Sequence, residues 1–211
     1  MRAITRPALW CAFAVSIGWQ QGAASVLDNE YVRVTRNGAP CASGTTPGCG
    51  DRVIVALGDT DLQTGRGRRR LARGDVAVFA PGDRYETPAG GPFFEVAIKP
   101  THPAVPPPAE RLPPDKNAIT FDGDRFFVFE ERLAPGETRA RHSHGPRVVV
   151  QLNRTQLQQW PDGEPEVLRD IVPDGAAFNA PVIHVVKNVG ALPLRGIVIE
   201  FKPDPRPRGV E

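Results

Sequence analysis

Apolar and polar positions along this chain come in short runs that keep no helical period. Arg125–Arg132, Arg147–Leu152, Val182–Val186 and Arg195–Phe201 are rich in Val, Ile and Phe, the more polar Thr138–His144 lies among them, and Pro, Gly or Asp separates the runs. Runs of that kind at roughly ten-residue spacing predict an antiparallel barrel or sandwich. Turn chemistry agrees: Ala134–Glu137 and Trp160–Gly163 carry the Pro–Gly and Pro–Asp–Gly signals that reverse a chain between strands.

The same run of elements occurs twice. Val53–Gln63 reads against Val148–Gln158 with Val, Leu, Thr, Leu and Gln in step at an offset of 95. Leu27–Val34 reads against Phe121–Val128, Phe79–Pro81 against Phe178–Pro181, and Glu95–Pro100 against Val198–Pro203, at offsets drifting from 94 to 103. Blocks in one order at a slowly drifting offset are the mark of a tandem duplication whose loops differ in length. Between the copies, Pro100–Pro114 is rich in proline and predicts an extended connector, with His102 a solvated residue on it.

Composition narrows the class. With 23 Pro and 21 Gly in 211 residues a helical bundle is excluded, and 40% hydrophobic content excludes a disordered chain. Arg2 and Arg6 precede an apolar stretch from Ala8 to Trp19 and a small-residue exit at Gln20–Ala24, the layout of an export signal ending at residue 24. The stretch is too short to span a bilayer, and no later run is apolar enough, so no membrane partner is expected once the signal is removed. The formal net charge of +2 rests on those two arginines, and a balanced remainder argues against a nucleic-acid partner. The chain is therefore expected to be exported, periplasmic or secreted. In that oxidising setting Cys41 and Cys49, bracketing a Gly/Pro loop, are expected as a disulfide, with two free thiols or a metal site as alternatives. One basic run, Arg66–Arg73, reads as a solvated hairpin; docking against the acidic Trp160–Glu166 turn is the second reading.

Chemistry concentrates in the second copy. His142 and His144 lie two apart on a predicted strand and so project to one face, where they can chelate one ion. Arg139 and Arg141 are expected on the opposite face, and the face of Arg147 is left open by the Gly145–Pro146 kink. A third histidine, His184, sits in the apolar run Val182–Val186. The first copy has no histidine: Pro47 and Cys49 stand at the places of His142 and His144, and Arg84 or Tyr85 near that of His184.

These residues resemble the motifs of the cupin superfamily, and the duplication resembles a bicupin, an all-β chain of two tandem jelly-roll barrels (double-stranded β-helices). Gly136 spaced before His142–Ser143–His144 is similar to the opening of the family's first motif; Gly175, Pro181, His184 and Asn188 are similar to its second. The resemblance implies a degenerate barrel over 25–99, a linker over 100–117, a metal-bearing barrel over 118–205 and a tail over 206–211. It implies His142, His144 and His184 as ligands of a divalent metal, Fe, Ni, Mn, Zn or Cu, and Asn188 as a structural position. The family's glutamate ligand should fall at 148 or 149, where this chain has Val148 and Val149. Three neutral imidazoles leave the ion's full charge in place, which favours a small anionic or chelating ligand. Arg147 is the candidate contact for such an anion. Two functions are expected on this basis: a three-histidine metalloenzyme of dioxygenase-like type, or a non-catalytic binder of a small ligand or partner with a vestigial site. A homodimer is the family expectation.

Overall fold

The computed structural model describes residues 24–38, 50–87, 90–106 and 117–203. The export signal, the Cys41–Cys49 pair, part of the proline-rich connector and the C-terminal tail lie outside the described residues. Within them the chain is all β, with 17 strands in four antiparallel sheets.

Residues before position 100 build two sheets. The larger runs β1 (Ala24–Asp28), β2 (Val32–Arg36), β8 (Phe93–Ile98), β3 (Arg52–Ala56), β6 (Val76–Phe79), and the smaller β5 (Gly67–Leu71), β4 (Thr60–Thr64), β7 (Tyr85–Glu86). Residues after 116 repeat the plan. The large sheet runs β15 (Ala176–Asn179), β12 (Arg147–Gln151), β17 (Leu194–Phe201), β10 (Phe126–Leu133), β9 (Asn117–Asp122); the small one runs β11 (Thr138–His144), β16 (Val182–Asn188), β13 (Thr155–Pro161), β14 (Val167–Ile171). Among the described residues, no strand of one half pairs with a strand of the other.

The duplication is visible bond by bond. Lys99 reaches Asp28 at 2.5 Å in the first lobe, and Lys202 reaches Asp122 at 2.5 Å in the second. The amide of Gly74 donates to Ala56 at 2.8 Å, as that of Asp174 donates to Gln151 at 2.9 Å. Gly74 takes φ +90° there, and Asp174 takes φ +60° at the matching turn, a left-handed conformation that Asp tolerates better than most side chains.

The two large sheets pack against each other, which explains strands buried on both faces. Along β3, Val53 and Val55 enter a core shared between the lobes, while Ile54 and Ala56 line the interior of the first barrel. Along β12, Val148 and Val150 enter the shared core, while Val149 points into the second barrel against Phe129 and Val198. Strand alternation thus hands each side chain to one of two apolar volumes.

The connector differs from expectation. Pro103 is buried, Val105 packs on the shared core, and the His102 ring meets Phe201 edge-on at 5.5 Å. The described part of the segment, 100–106, lies along the second lobe, because its apolar residues find a surface to cover, and His102 is half-buried instead of solvated. The basic run is mostly the solvated hairpin expected: Arg68 pairs with Asp61 and Arg70 with Asp59 inside it. Its last residue, Arg73, does cross between lobes, but to Asp174 at 2.7 Å and the Leu152 carbonyl, not to the Trp160 turn. Trp160 and Asp162 of that turn are engaged locally, by Glu166 and Arg141.

Candidate metal centre

Strands β11 and β16 are antiparallel neighbours, and their register sets His142 directly opposite His184. His144 follows two positions along β11 on the same face. The three rings converge inside the second barrel, each at most 5% exposed, with one nitrogen of each within 4.8 Å of the others.

Hydrogen bonds fix which nitrogens face inward. His142 Nδ1 lies 2.8 Å from the Ala140 carbonyl, an acceptor, so Nδ1 carries the proton and Nε2 the lone pair. His144 Nδ1 lies 2.8 Å from Glu200 Oε2, while the Gly145 amide donates to Oε1 at 2.7 Å. With Glu200 ionised, His144 Nε2 also holds a lone pair. That atom stands 3.1 Å from His142 Nε2, so two lone pairs face each other. His184 adds two buried ring nitrogens with no hydrogen-bond partner. A buried polar atom without a partner is costly, and a shared cation relieves all three rings at once. The donor set fits a metal.

Electrostatics keep the rings in the ligating form. Burial depresses His142 and His144 to about 3 and His184 to about 2, with Arg139 and Arg147 adding to the effect on each. Glu200 is pushed up to about 7 by burial, which the Gly145 amide and Arg147 oppose.

Several placements depart from the sequence reading. Arg139 faces the barrel interior, 1% exposed, bound to Asn117 Oδ1 at 2.8 Å and paired with Glu131 at 3.0 Å. A bulge between Arg139 and His142 adds a residue to the strand, so the alternation that would have turned Arg139 outward is reset. Arg141 does point out, to Asp162. Arg147 points in; its guanidinium donates to the Gly145 and Ala180 carbonyls at 3.1 and 2.9 Å. Asn188 is fully buried and satisfied by Thr155, Leu133, Leu192 and Gly190, which ties the turn after β16 to β13. In the first lobe, Tyr85 pairs with Thr64 as Val186 pairs with Gln159, so the place of His184 falls to Asp83, not to Arg84 or Tyr85.

Glu200 was missed by sequence reasoning. Its signal was present: an acid inside the apolar run Gly196–Phe201, where the aligned first-copy residue is Ala97. It does not replace the missing ligand at 148 or 149, since it holds the far side of the His144 ring.

No protein-family model matches the chain, and no curated protein matches it. Solved structures do. A cupin 2 conserved barrel domain protein from Leptotrichia buccalis superposes with a TM-score of 0.55 at 12% identity, over 85% of this chain and 88% of that one. AerE from Microcystis aeruginosa gives 0.52 at 13% identity, over 86% and 97%. YhaK from Escherichia coli gives 0.50 at 17% identity, over 89% and 96%. At these identities the likeness concerns the fold, which spans both lobes.

Proposed function

We propose that this chain, a protein of the cupin fold, is an exported metalloprotein whose C-terminal barrel holds one divalent ion through His142, His144 and His184. The observation that carries the reading is the convergence of three buried imidazoles, with Nε2 of His142 and His144 3.1 Å apart beside a third ring with no partner. Export is supported by the arrangement of Arg2, Arg6 and the apolar stretch that follows. When bound, the ion would act as a Lewis acid or redox centre for a small organic ligand.

The chain's own residues shape what such a ligand must be. Three neutral imidazoles cancel none of the ion's charge, and Arg139 and Arg147 add two buried cations to the same interior, set against Glu131 and Glu200. An anionic or chelating ligand fits that field. Phe129, Val149 and Val198 form an apolar wall that excludes water from one side. Glu200 fixes the His144 ring and its tautomer, the usual service of a carboxylate behind a metal-bound imidazole. The metals consistent with three imidazoles are Fe, Ni, Mn, Zn and Cu.

Dioxygenase-like turnover of a small organic acid is the active form of this reading; ligand storage without turnover is its alternative, favoured by the absence of a carboxylate among the convergent groups. Oxygen uptake by iron-loaded protein, supplied with small chelating acids, separates them. Uptake abolished by His184→Ala is expected for an enzyme, and tight acid binding without uptake for a binder. Cobalt titration provides a check independent of activity. Ligand-field bands that vanish in His184→Ala are expected, and their absence from the wild-type protein overturns the site.

A further inference from the structure

Each lobe has a seam where an edge strand of its large sheet meets an edge strand of its small one: β6 with β5 in the first lobe, β15 with β14 in the second. Their registers make the two seams comparable residue by residue. Arg52 pairs with Phe79 and Ile54 with Ala77, as Arg147 pairs with Asn179 and Val149 with Ala177. In the small sheets Leu62 pairs with Arg69, as Leu157 pairs with Arg169. Arg69 and Arg169 therefore hold one position, and so do Phe79 and Asn179.

The first seam is tied from within. Arg69 donates to the Val76 carbonyl at 2.9 Å, a bond from β5 to β6, and the Phe79 ring stacks on Tyr85 at 4.7 Å. The second seam has neither feature. Arg169 shares a face of β14 with Ile171, a residue of the barrel interior, and so stands over the opening. Among the described residues its guanidinium meets no hydrogen-bond or ion-pair partner, and neither does the half-buried side chain of Asn179. Both side chains line a cavity of about 340 Å³, together with Val149, Ile171 and Ala177. The acid on its wall, Asp170, accepts a hydrogen bond from Gln156 Nε2 at 2.8 Å. Arg147, the strand partner of Asn179, is held below its usual pKa by burial and lowered further by the charge of Arg169. Glu200 and Glu131 offset Arg147, whereas no carboxylate pairs with Arg169 among the described residues.

The volume suits a small organic molecule. A free guanidinium beside an amide donor can hold a carboxylate through charge-assisted hydrogen bonds, and the apolar wall can cover a carbon body. We propose that the seam between β14 and β15 binds a small monocarboxylate, with its charge on Arg169 and Asn179 and its carbon body against Val149, Ile171 and Ala177. None of these contacts is a histidine, so occupancy does not depend on the metal.

The test is calorimetric titration with benzoate and hexanoate of the full chain, with EDTA present, and of His142→Ala/His144→Ala. At least one acid is expected to bind saturably, one per chain, and equally well in both. Arg169→Gln and Asn179→Phe, which installs the ring of the first lobe, are each expected to weaken it by about tenfold or more. Arg69→Gln, the matching change in the first lobe, is expected to leave binding unchanged. Benzyl alcohol, which lacks the charge, is expected to bind the wild-type chain no better than benzoate binds Arg169→Gln. Should Asn179→Phe fail to fold, the exposed Arg169 carries the result. No saturable binding by either acid overturns the proposal, as does binding that survives Arg169→Gln. Binding lost with the histidines places the acid at their centre and overturns it too. So does equal affinity for inorganic phosphate, which would mean attraction of charge alone.

Discussion

At the scale of single residues the account turns on which side of each imidazole is occupied. Glu200 holds the His144 ring by Nδ1, so Glu200→Ala is expected to cost about 10–100-fold in metal affinity, as second-layer carboxylates do elsewhere. Glu200→Gln should lose less, since the amide oxygen can still accept from Nδ1, although the amide nitrogen then faces the Gly145 N–H. Competition against a chelating dye checks both; equal loss in the two variants would argue for a packing role only. The histidines also set a pH dependence. Their pKa values are depressed on folding, so the folded chain refuses protons that the unfolded chain takes up below 6.5. Their stabilising contribution is present above that value and is lost as pH falls towards about 3. Glu95 and Glu200, raised to about 6 and about 7, run the other way: their contribution is present below 4.5 and is lost as pH rises. Below 4.5 the lowered carboxylates Asp28, Asp61, Glu130 and Asp162 also lose stability as pH falls, and the three histidine sites add a slope approaching about 4 kcal/mol per pH unit. Urea unfolding of the metal-free protein should show it, with about two-thirds of the histidine share removed in His142→Ala/His144→Ala; an unchanged slope would contradict the placement of these rings. Of this centre, His142 and His144 were legible because their spacing puts them on one strand face, and His184 through its resemblance to the cupin family's second motif. Glu200 was not, because only long-range pairing of β17 with β12 brings it behind His144.

At the scale of the strand, alternation explained most of the molecule and a bulge explained its main failure. Val53–Leu57 and Val148–Val150 read as continuous apolar runs, which signals burial on both faces without saying against what. The structure supplies the two volumes, a barrel interior and a core between lobes. Arg139 shows the limit: one extra residue in β11 reversed its face, and nothing in Thr138–His144 announces a bulge. The strands facing the other lobe carry a testable cost. Ile199 is wholly buried in the shared core, so Ile199→Ala should destabilise by about 2–5 kcal/mol. Leu168, 59% exposed on β14, should cost about 0.5 kcal/mol or less when changed to Ala. Denaturant unfolding of both variants decides; equal costs would mean that the lobes do not pack as described.

At the scale of the whole molecule, the duplication was plain in the sequence, whereas the way the copies dock was not. Face-to-face packing of the large sheets depends on residues that either lobe alone would read as ordinary core. Ion pairs also join them, with Arg73 on Asp174 and Arg125 on Asp51 where the lobes meet. Both ion pairs are partly solvated, and a double-mutant cycle on Arg73 and Asp174 should return about 1 kcal/mol or less. The shared apolar core is the larger tie, so the two lobes should unfold together, with fluorescence and circular dichroism tracing one transition. Two separated transitions would refute that coupling. The duplication also frames the division of labour: one barrel keeps the imidazoles, and the other has Asp83 at the place of His184 and no histidine.

The central claim is that the C-terminal barrel binds a metal through three histidines, and metal content tests it most directly. Mass-spectrometric metal analysis should be made on residues 25–211, prepared without a histidine tag, beside His142→Ala/His144→Ala. The account predicts close to one first-row metal per chain in the wild-type protein and none in the variant. No metal in the wild-type protein, even after reconstitution with Fe, Ni, Mn, Cu and Zn, would contradict it.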